Sequence, residues 1–277
     1  MILFKKILDI QNFLSQKNGS IGFVPTMGAL HAGHLSLIEK SKQENEITVC
    51  SIFVNPLQFN NVHDLQKYPR TISADIDLLI SAHCDVLFAP EANEIYPINE
   101  EKKLDFDIGF LDTLFEGAFR PGHFKGVAII VNKLFQIIKP SNAYFGLKDY
   151  QQCLLIKKMV ADLELRIQLH LCPTLREDDG LAMSSRNVRL SEEARKVASK
   201  IFSVLHYAKL NYRTQNITLI EQWCKSYLCE EPLYNVEYFN IVNAETLLPV
   251  KSDSERVVAL CAANLAGVRL IDNMILN

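Results

Sequence analysis

Two histidines three residues apart, His31 and His34, sit in the segment FVPTMGALHAGHLSLI (residues 23–38), at the point where an apolar run gives way to a helical pattern. A helix N-terminus offers unpaired N–H groups and a partial positive charge, and imidazole N–H donors beside it can bind phosphate oxygens. Pro25, Thr26 and Gly28 precede the histidines, at the carboxyl end of the expected strand, where open α/β sheets bind ligands. The chemistry suited to this pattern is nucleotide binding. The competing explanation is a surface helix that happens to begin with histidines.

Four further segments carry polar residues at similar places. TLREDDGLAMSSRN (174–187) holds Met183, Ser184, Ser185 and Arg186 in a short polar loop, whose hydroxyls and guanidinium suit triphosphate oxygens. AYFGLKDYQQ (143–152) ends an apolar strand at Gly146 and then presents Lys148, Asp149 and Gln152; the glycine admits a nucleotide to the backbone, and the lysine neutralises phosphate charge. In FVNPLQFN (53–60), Asn55 and Gln58 follow a core strand and suit a small hydroxylated or carboxylate ligand, against the alternative of an Asn-Pro turn. In FEGAFRPGHFKG (115–126), Arg120, His123 and Lys125 read either as an anion site or as an ordinary basic loop.

The elements that must position these residues alternate in period. SIGFVPT (20–26), ITVCSIFV (47–54), DVLFA (85–89), NAYFG (142–146) and LRIQLHLC (165–172) read as strands. Helical patterns lie between them at 34–45, 71–83, 125–139 and 151–163, with Val127, Val131, Leu134 and Ile138 on one apolar stripe. Apolar strands joined by crossover helices predict a parallel, doubly wound α/β sheet. After about residue 187 the texture changes: helices over 191–210 and 217–228 precede strand-like NVEYFNIV and RVVALCAANL, a smaller α+β domain. The expected domains are therefore 1–187 and 188–277, with the boundary near 186–190.

The 277 residues suit one large or two modest domains, and a composition of 48% hydrophobic and 22% charged residues excludes a disordered chain. Net charge is −3, so no overall basic field points to nucleic acid or anionic lipid. No membrane span is expected: the long uncharged stretches contain prolines, glycines and amides. Lys5, Lys6 and Asp9 interrupt any signal-peptide core. Seven scattered cysteines fit buried thiols in a reducing cytoplasm better than disulfides, and Cys224 and Cys229 lack the second pair that a zinc site needs.

In this order, FVPTMGALHAGHLSLI, FVNPLQFN, YPRT (68–71), FRPGHFKGV, KPSNAYFGLKDYQQ, PTLREDDGLAMSSRN and the terminal RLIDN (269–273) resemble the pantothenate synthetase family. These are the pantoate and β-alanine ligases of the nucleotidyltransferase superfamily, which shares the HIGH motif with class I aminoacyl-tRNA synthetases. The resemblance covers nearly the whole chain. It implies a Rossmann-like N-terminal domain binding ATP and pantoate, a C-terminal lid domain, a cytoplasmic homodimer, and ATP with Mg²⁺. The implied reaction joins pantoate to β-alanine through pantoyl adenylate, releasing pyrophosphate and AMP.

Carried over position by position, the ATP contacts are Met27, Gly28, Ala29, Leu30, His31, Ala32, Gly33, His34, Gly146, Leu147, Lys148, Asp149, Leu175, Met183, Ser184, Ser185 and Arg186. His34 holds the family's proton-donor place with His31 beside it, and Lys148, Ser184, Ser185 and Arg186 complete the implied catalytic set. Gln58 and Gln152 match pantoate contacts, Gln58 and Asn55 border the substrates, and Asp75 resembles a magnesium-associated carboxylate. Leu147 stands where the family commonly has Glu, and Leu175 where it has Val or Ile; neither change touches the catalytic set. Competing functions are an adenylyltransferase that leaves AMP on its product, a tRNA-charging enzyme, disfavoured by the charge balance, and a catalytically inactive nucleotide sensor.

Overall fold

The computed structural model describes residues 1–98, 103–252 and 254–277, which divide into two compact units. The first comprises Met1–Leu147 and Gln151–Pro173, the second Lys148–Tyr150 and Thr174–Asn277. The second unit thus takes in the loop 174–187, which precedes the change of texture seen in the sequence.

The first unit runs β1 (Ile2–Phe4), α1 (Ile7–Ser15), β2 (Ile21–Thr26), α2 (Ala32–Glu44), β3 (Ile47–Ile52), α3 (Val62–Lys67), α4 (Ile72–Ser81) and β4 (Val86–Phe88). It continues with α5 (Ala92–Ile95), α6 (Phe115–Phe119), α7 (His123–Ile138), β5 (Asn142–Gly146), α8 (Tyr150–Asp162) and β6 (Gln168–Cys172). All strand pairs are parallel, in the order β1-β4-β3-β2-β5-β6. The order reverses between β2 and β5, which makes the carboxyl edge beside β2 the topological switch point of a Rossmann-like sheet. The five expected strands and the parallel architecture are all present. Strand β1 and helix α1 were not legible, because three apolar residues followed by Lys5 and Lys6 give no period to read.

Burial explains why the strands read as continuous apolar runs. Phe23, Val24, Val49, Cys50, Leu87, Phe88, Ala143 and Tyr144 have no exposed surface, since helices cover both faces. Helix α7 is buried more completely than its expected stripe: Phe124, Ala128, Ile130, Phe135 and Ile137 are also interior. A helix buried nearly all round needs apolar residues on every face, which weakens any one-face pattern.

The second unit holds α9 (Glu192–Val197), α10 (Lys200–Asn211) and α11 (Ile217–Cys229), then an antiparallel sheet β7-β8-β9 of Tyr234–Asn243, Val257–Leu265 and Val268–Ile275. The single helix expected over 191–210 is interrupted at Ala198 and Ser199, both of which keep right-handed helical dihedrals. Ile201, Leu205, Cys224, Leu228, Phe239, Ala259 and Cys261 form its core. Of the seven cysteines only Cys229 is exposed, and all are free thiols. Burial lifts the Cys84 thiol to about 11 and the Cys224 thiol to about 12. Among the described residues no helix is long and apolar enough to cross a membrane.

Candidate active site

In the first unit the chain leaves β2 at Thr26 and turns into α2 through two consecutive left-handed residues, Gly28 (φ 80°) and Ala29 (φ 50°). A Cβ at Gly28 would lie 3.0 Å from Asp75 Oδ2, so glycine meets both the backbone conformation and the close approach. The Thr26 hydroxyl donates to the Ser51 carbonyl at 2.8 Å and accepts the Gly28 N–H at 3.1 Å. Asp75, in the first turn of α4 and 2% exposed, accepts the Ala29 N–H at 3.0 Å, the Leu30 N–H at 2.8 Å and the Thr71 hydroxyl at 3.2 Å.

This turn delivers the histidines in a fixed arrangement. His31 is the N-cap of α2: its Nδ1 accepts the Gly33 N–H at 3.2 Å, while His34 Nδ1 faces the His31 N–H at 3.4 Å. A ring nitrogen that accepts carries no proton, so the network assigns the Nε2–H tautomer to both rings. The ring centroids are 4.1 Å apart. Paired Nε2–H donors at a helix N-terminus can stabilise negative charge developing on phosphate oxygens.

Beyond β3, Asn55 caps the 3-10 turn Pro56–Gln58. Asn55 is 1% exposed and both its amide atoms are engaged: Oδ1 accepts Leu57 N–H (3.3 Å) and the Tyr96 hydroxyl (2.9 Å), Nδ2 donates to the Gly126 carbonyl (3.0 Å) and Gln58 Oε1 (3.2 Å). Gln58 Nε2 in turn lies 2.9 Å from Met27 Sδ, which joins this turn to the histidine turn. The Asn-Pro turn reading therefore holds, and the turn orients the Gln58 amide. The loop before α7 has a structural role too. His123 Nδ1 donates to the Gln58 carbonyl at 2.8 Å, and Arg120 donates to His123 Nε2 at 3.0 Å, with Glu116 3.7 Å from Arg120. A carbonyl only accepts and a guanidinium only donates, so His123 is the neutral Nδ1–H tautomer. Gln152 lies in the first turn of α8, past the end of β5, the strand beside β2.

In the second unit the 174–187 segment is a compact hairpin. Arg176 bridges Ala182, Met183 N–H donates to the Leu175 carbonyl at 3.0 Å, and Gly180 (φ 90°) makes the turn. Leu175 keeps its side chain exposed. The Ser184 hydroxyl accepts the Arg186 N–H at 3.2 Å, and Asn187 donates to Glu177 and to the Ala182 carbonyl. Arg195 pairs with Glu177 and Asp179 at 2.5 Å each, and its hydrogen bond holds the Asp179 carboxyl below its ordinary range. Arg176 grips Asp272 through both nitrogens, at 2.6 and 3.0 Å. Burial raises the Asp272 carboxyl above its ordinary value, against the pull of Arg176. Asn273 donates to the Lys148 carbonyl at 2.9 Å, and Lys148 Nζ lies 3.2 Å from Asp149.

The residues expected from the sequence thus form two sets. The first unit holds Met27 to His34, Asn55, Gln58, Asp75, Gly146, Leu147 and Gln152; the second holds Lys148, Asp149, Leu175 and Met183 to Arg186. Sequence reasoning missed Tyr96, Arg176, Asp272 and Asn273 as supports. For the last two, the terminal RLIDN segment held a signal, two adjacent polar residues buried in a strand whose other members are apolar except Arg269. Among the described residues no cluster of three or more His, Cys, Asp or Glu could hold a metal ion. Asp75 spends its oxygens on N–H and O–H donors, an arrangement that does not fit a metal ligand.

Residues 2–275 match the Pantoate-beta-alanine ligase family. The chain is 48% identical to the pantothenate synthetase of Cytophaga hutchinsonii over 283 residues, covering 100% of this chain and 99% of that protein. It is 44% identical to that of Bacteroides fragilis, covering 99% and 98%. The pantothenate synthetase structure from Thermus thermophilus superposes with TM-score 0.94 at 40% identity, covering 100% of this chain and 99% of that one. A Francisella tularensis pantoate-beta-alanine ligase, solved with a β,γ-ATP compound and β-alanine, superposes with TM-score 0.81 at 38% identity, covering 99% and 97%. Full-length coverage at this identity, on a Rossmann-like sheet with the histidine turn at its switch point, establishes that the chain is an enzyme belonging to the pantoate–β-alanine ligase family.

Proposed function

We propose that the enzyme makes pantothenate from pantoate and β-alanine in two steps on ATP. A pantoate carboxylate oxygen attacks the α-phosphorus of ATP; the bond from that phosphorus to the bridging oxygen breaks, and pyrophosphate leaves. The β-alanine amine then attacks the acyl carbon of pantoyl adenylate, loses a proton, and expels AMP. Adenylation is required because a free carboxylate has no adequate leaving group. Mg²⁺ enters with ATP as part of the substrate, held by phosphate oxygens and water.

The observation that carries this reading is the pair of Nε2–H donors that the reciprocal cap of α2 directs from one helix N-terminus. Such preorganised donors act on charge as it develops at the phosphorus, where little covalent chemistry falls to the protein. His34 and His31 serve the first step, and Lys148, Ser184, Ser185 and Arg186 neutralise the departing pyrophosphate. Gln58 and Gln152 bind pantoate, with Asn55 holding Gln58 in place. By the same resemblance the enzyme is a cytoplasmic homodimer whose C-terminal part is a lid that keeps the mixed anhydride from water.

Mass spectrometry of reactions with ATP, Mg²⁺ and pantoate, with and without β-alanine, tests the proposal. Pantothenate and AMP appearing together only with β-alanine is the expected result. An adenylylated pantoate that persists in its presence, or no turnover of ATP, overturns it.

A further inference from the structure

The carboxylate that touches the histidine turn is Asp75, on α4 and more than forty residues away in sequence. Its two oxygens take the N–H groups of Ala29 and Leu30, one each, and Thr71 at the start of the same helix donates a third hydrogen bond. The turn it holds is costly on its own. Ala29 is a non-glycine residue in the left-handed region, a conformation that is strained and persists only where surroundings impose it. Gly28, one residue earlier, is also left-handed, and Asp75 Oδ2 approaches so closely that no Cβ fits there without contact at 3.0 Å. Two residues after Ala29, His31 begins the reciprocal cap that sets both imidazole tautomers.

From this geometry we propose that Asp75 is a positioning residue for adenylate formation: it locks the Gly28–Ala29 turn and thereby aims His31 and His34, and it does not ligate magnesium. The proposal rests on the ligase reading. Neutralising the carboxylate releases the turn, and donors displaced by about 1 Å lose on the order of 10- to 100-fold in rate. The loss falls chiefly on adenylation, where bonds form and break at phosphorus itself; in the second step they change at the acyl carbon, and the phosphate takes part only as the leaving group.

The experiment is rapid-quench kinetics on Asp75→Asn, following pantoyl adenylate formation at a series of Mg²⁺ concentrations. The second step is followed separately by adding β-alanine and synthetic pantoyl adenylate. Expected are adenylation slowed about tenfold or more, Mg²⁺ half-saturation unchanged within about twofold, and a second step slowed far less than the first. Calorimetric titration of Mg²⁺ into nucleotide-free protein should give the same isotherm for both proteins. Adenylation restored by raised Mg²⁺, a Mg²⁺ isotherm lost in the variant, both steps slowed alike, or an unchanged first step each overturns the proposal. If Asp75→Asn does not fold, Thr71→Val removes one of the three hydrogen bonds and should slow the first step more mildly; an unchanged rate there also overturns it. Wild-type enzyme that forms no pantothenate would sink the ligase reading instead, a separate result.

Discussion

Replacing Gly126 by alanine tests whether the Gln58 turn is positioned by its packing on α7. A Cβ at Gly126 would lie 2.3 Å from the Leu57 carbonyl oxygen, 2.4 Å from its carbon and 2.7 Å from the Gln58 nitrogen. All three are backbone atoms, so no side chain can rotate away, and each distance must open to at least 3.0 Å. That displacement stretches the 3.0 Å bond from Asn55 Nδ2 to the Gly126 carbonyl and the 2.8 Å bond from His123 to the Gln58 carbonyl. Overpacking costs about 1–3 kcal/mol, against about 0.5–1 kcal/mol gained by removing a glycine from a helix interior. Because all three clashing atoms are backbone, overpacking falls at the upper end of its range, and the net expectation is about 1–2.5 kcal/mol of lost stability, or roughly 2–10 °C in Tm. Because Gln58 moves with the turn, kcat/KM for pantoate should fall by as much as about 100-fold, with KM for ATP little altered. Calorimetric melting and steady-state kinetics with varied pantoate measure both. A Gly126→Ala enzyme with wild-type Tm and wild-type pantoate kcat/KM would refute the packing argument.

Long-range ¹⁵N–¹H NMR of the imidazoles should report Nε2–H for His31 and His34 and Nδ1–H for His123; one shared tautomer for all three would contradict the hydrogen-bond assignment. Ellman titration of the native enzyme should modify Cys229 rapidly and the six buried thiols only on unfolding; fast reaction at Cys84 or Cys224 would show that their burial and raised pKa values are not retained in solution. Asp179, whose carboxyl Arg195 holds low, contributes stability that is present above the ordinary carboxylate value of about 3.9 and is lost as pH falls through its lowered value in the folded protein. Acid melting curves of Asp179→Asn should therefore lose less stability than wild type below about pH 4, and parallel curves would remove Asp179 from the account.

Much of the fold was legible because its signals are local. Four of the five longer strand patterns of the first unit are largely buried apolar runs, the fifth being the half-buried edge strand β6, and each appears within a few residues of its expected bounds. Helix α7 was legible in position but not in burial, since an interior helix blurs its own stripe. Strand β1 is held by pairing with β4, a contact eighty-odd residues away that three residues cannot announce. Strand β9 read as a motif rather than a strand, because Asp272 and Asn273 are buried polar residues with partners in Arg176 and at the Lys148 carbonyl.

By itself the sequence determined the order of the five longer strands of the first unit and the helices between them, the glycine and histidine spacing of the turn, and the inventory of phosphate-handling groups. These depend on backbone period and residue type within a few positions. Only the tertiary structure decided what each polar group does. Asp75 reaches the turn from 45 and 46 residues away, His123 reaches the Gln58 carbonyl across 65, and Tyr96 reaches Asn55 across 41. The family resemblance implies a magnesium-associated carboxylate at Asp75, while along the chain His123 reads as an anion site or an ordinary basic loop and Asn55 as a substrate contact or an Asn-Pro turn. Folding assigns their hydrogen bonds to backbone groups and to the side chains of Thr71, Arg120, Gln58 and Tyr96, because buried polar groups must be paired and packing alone decides which partner is within reach.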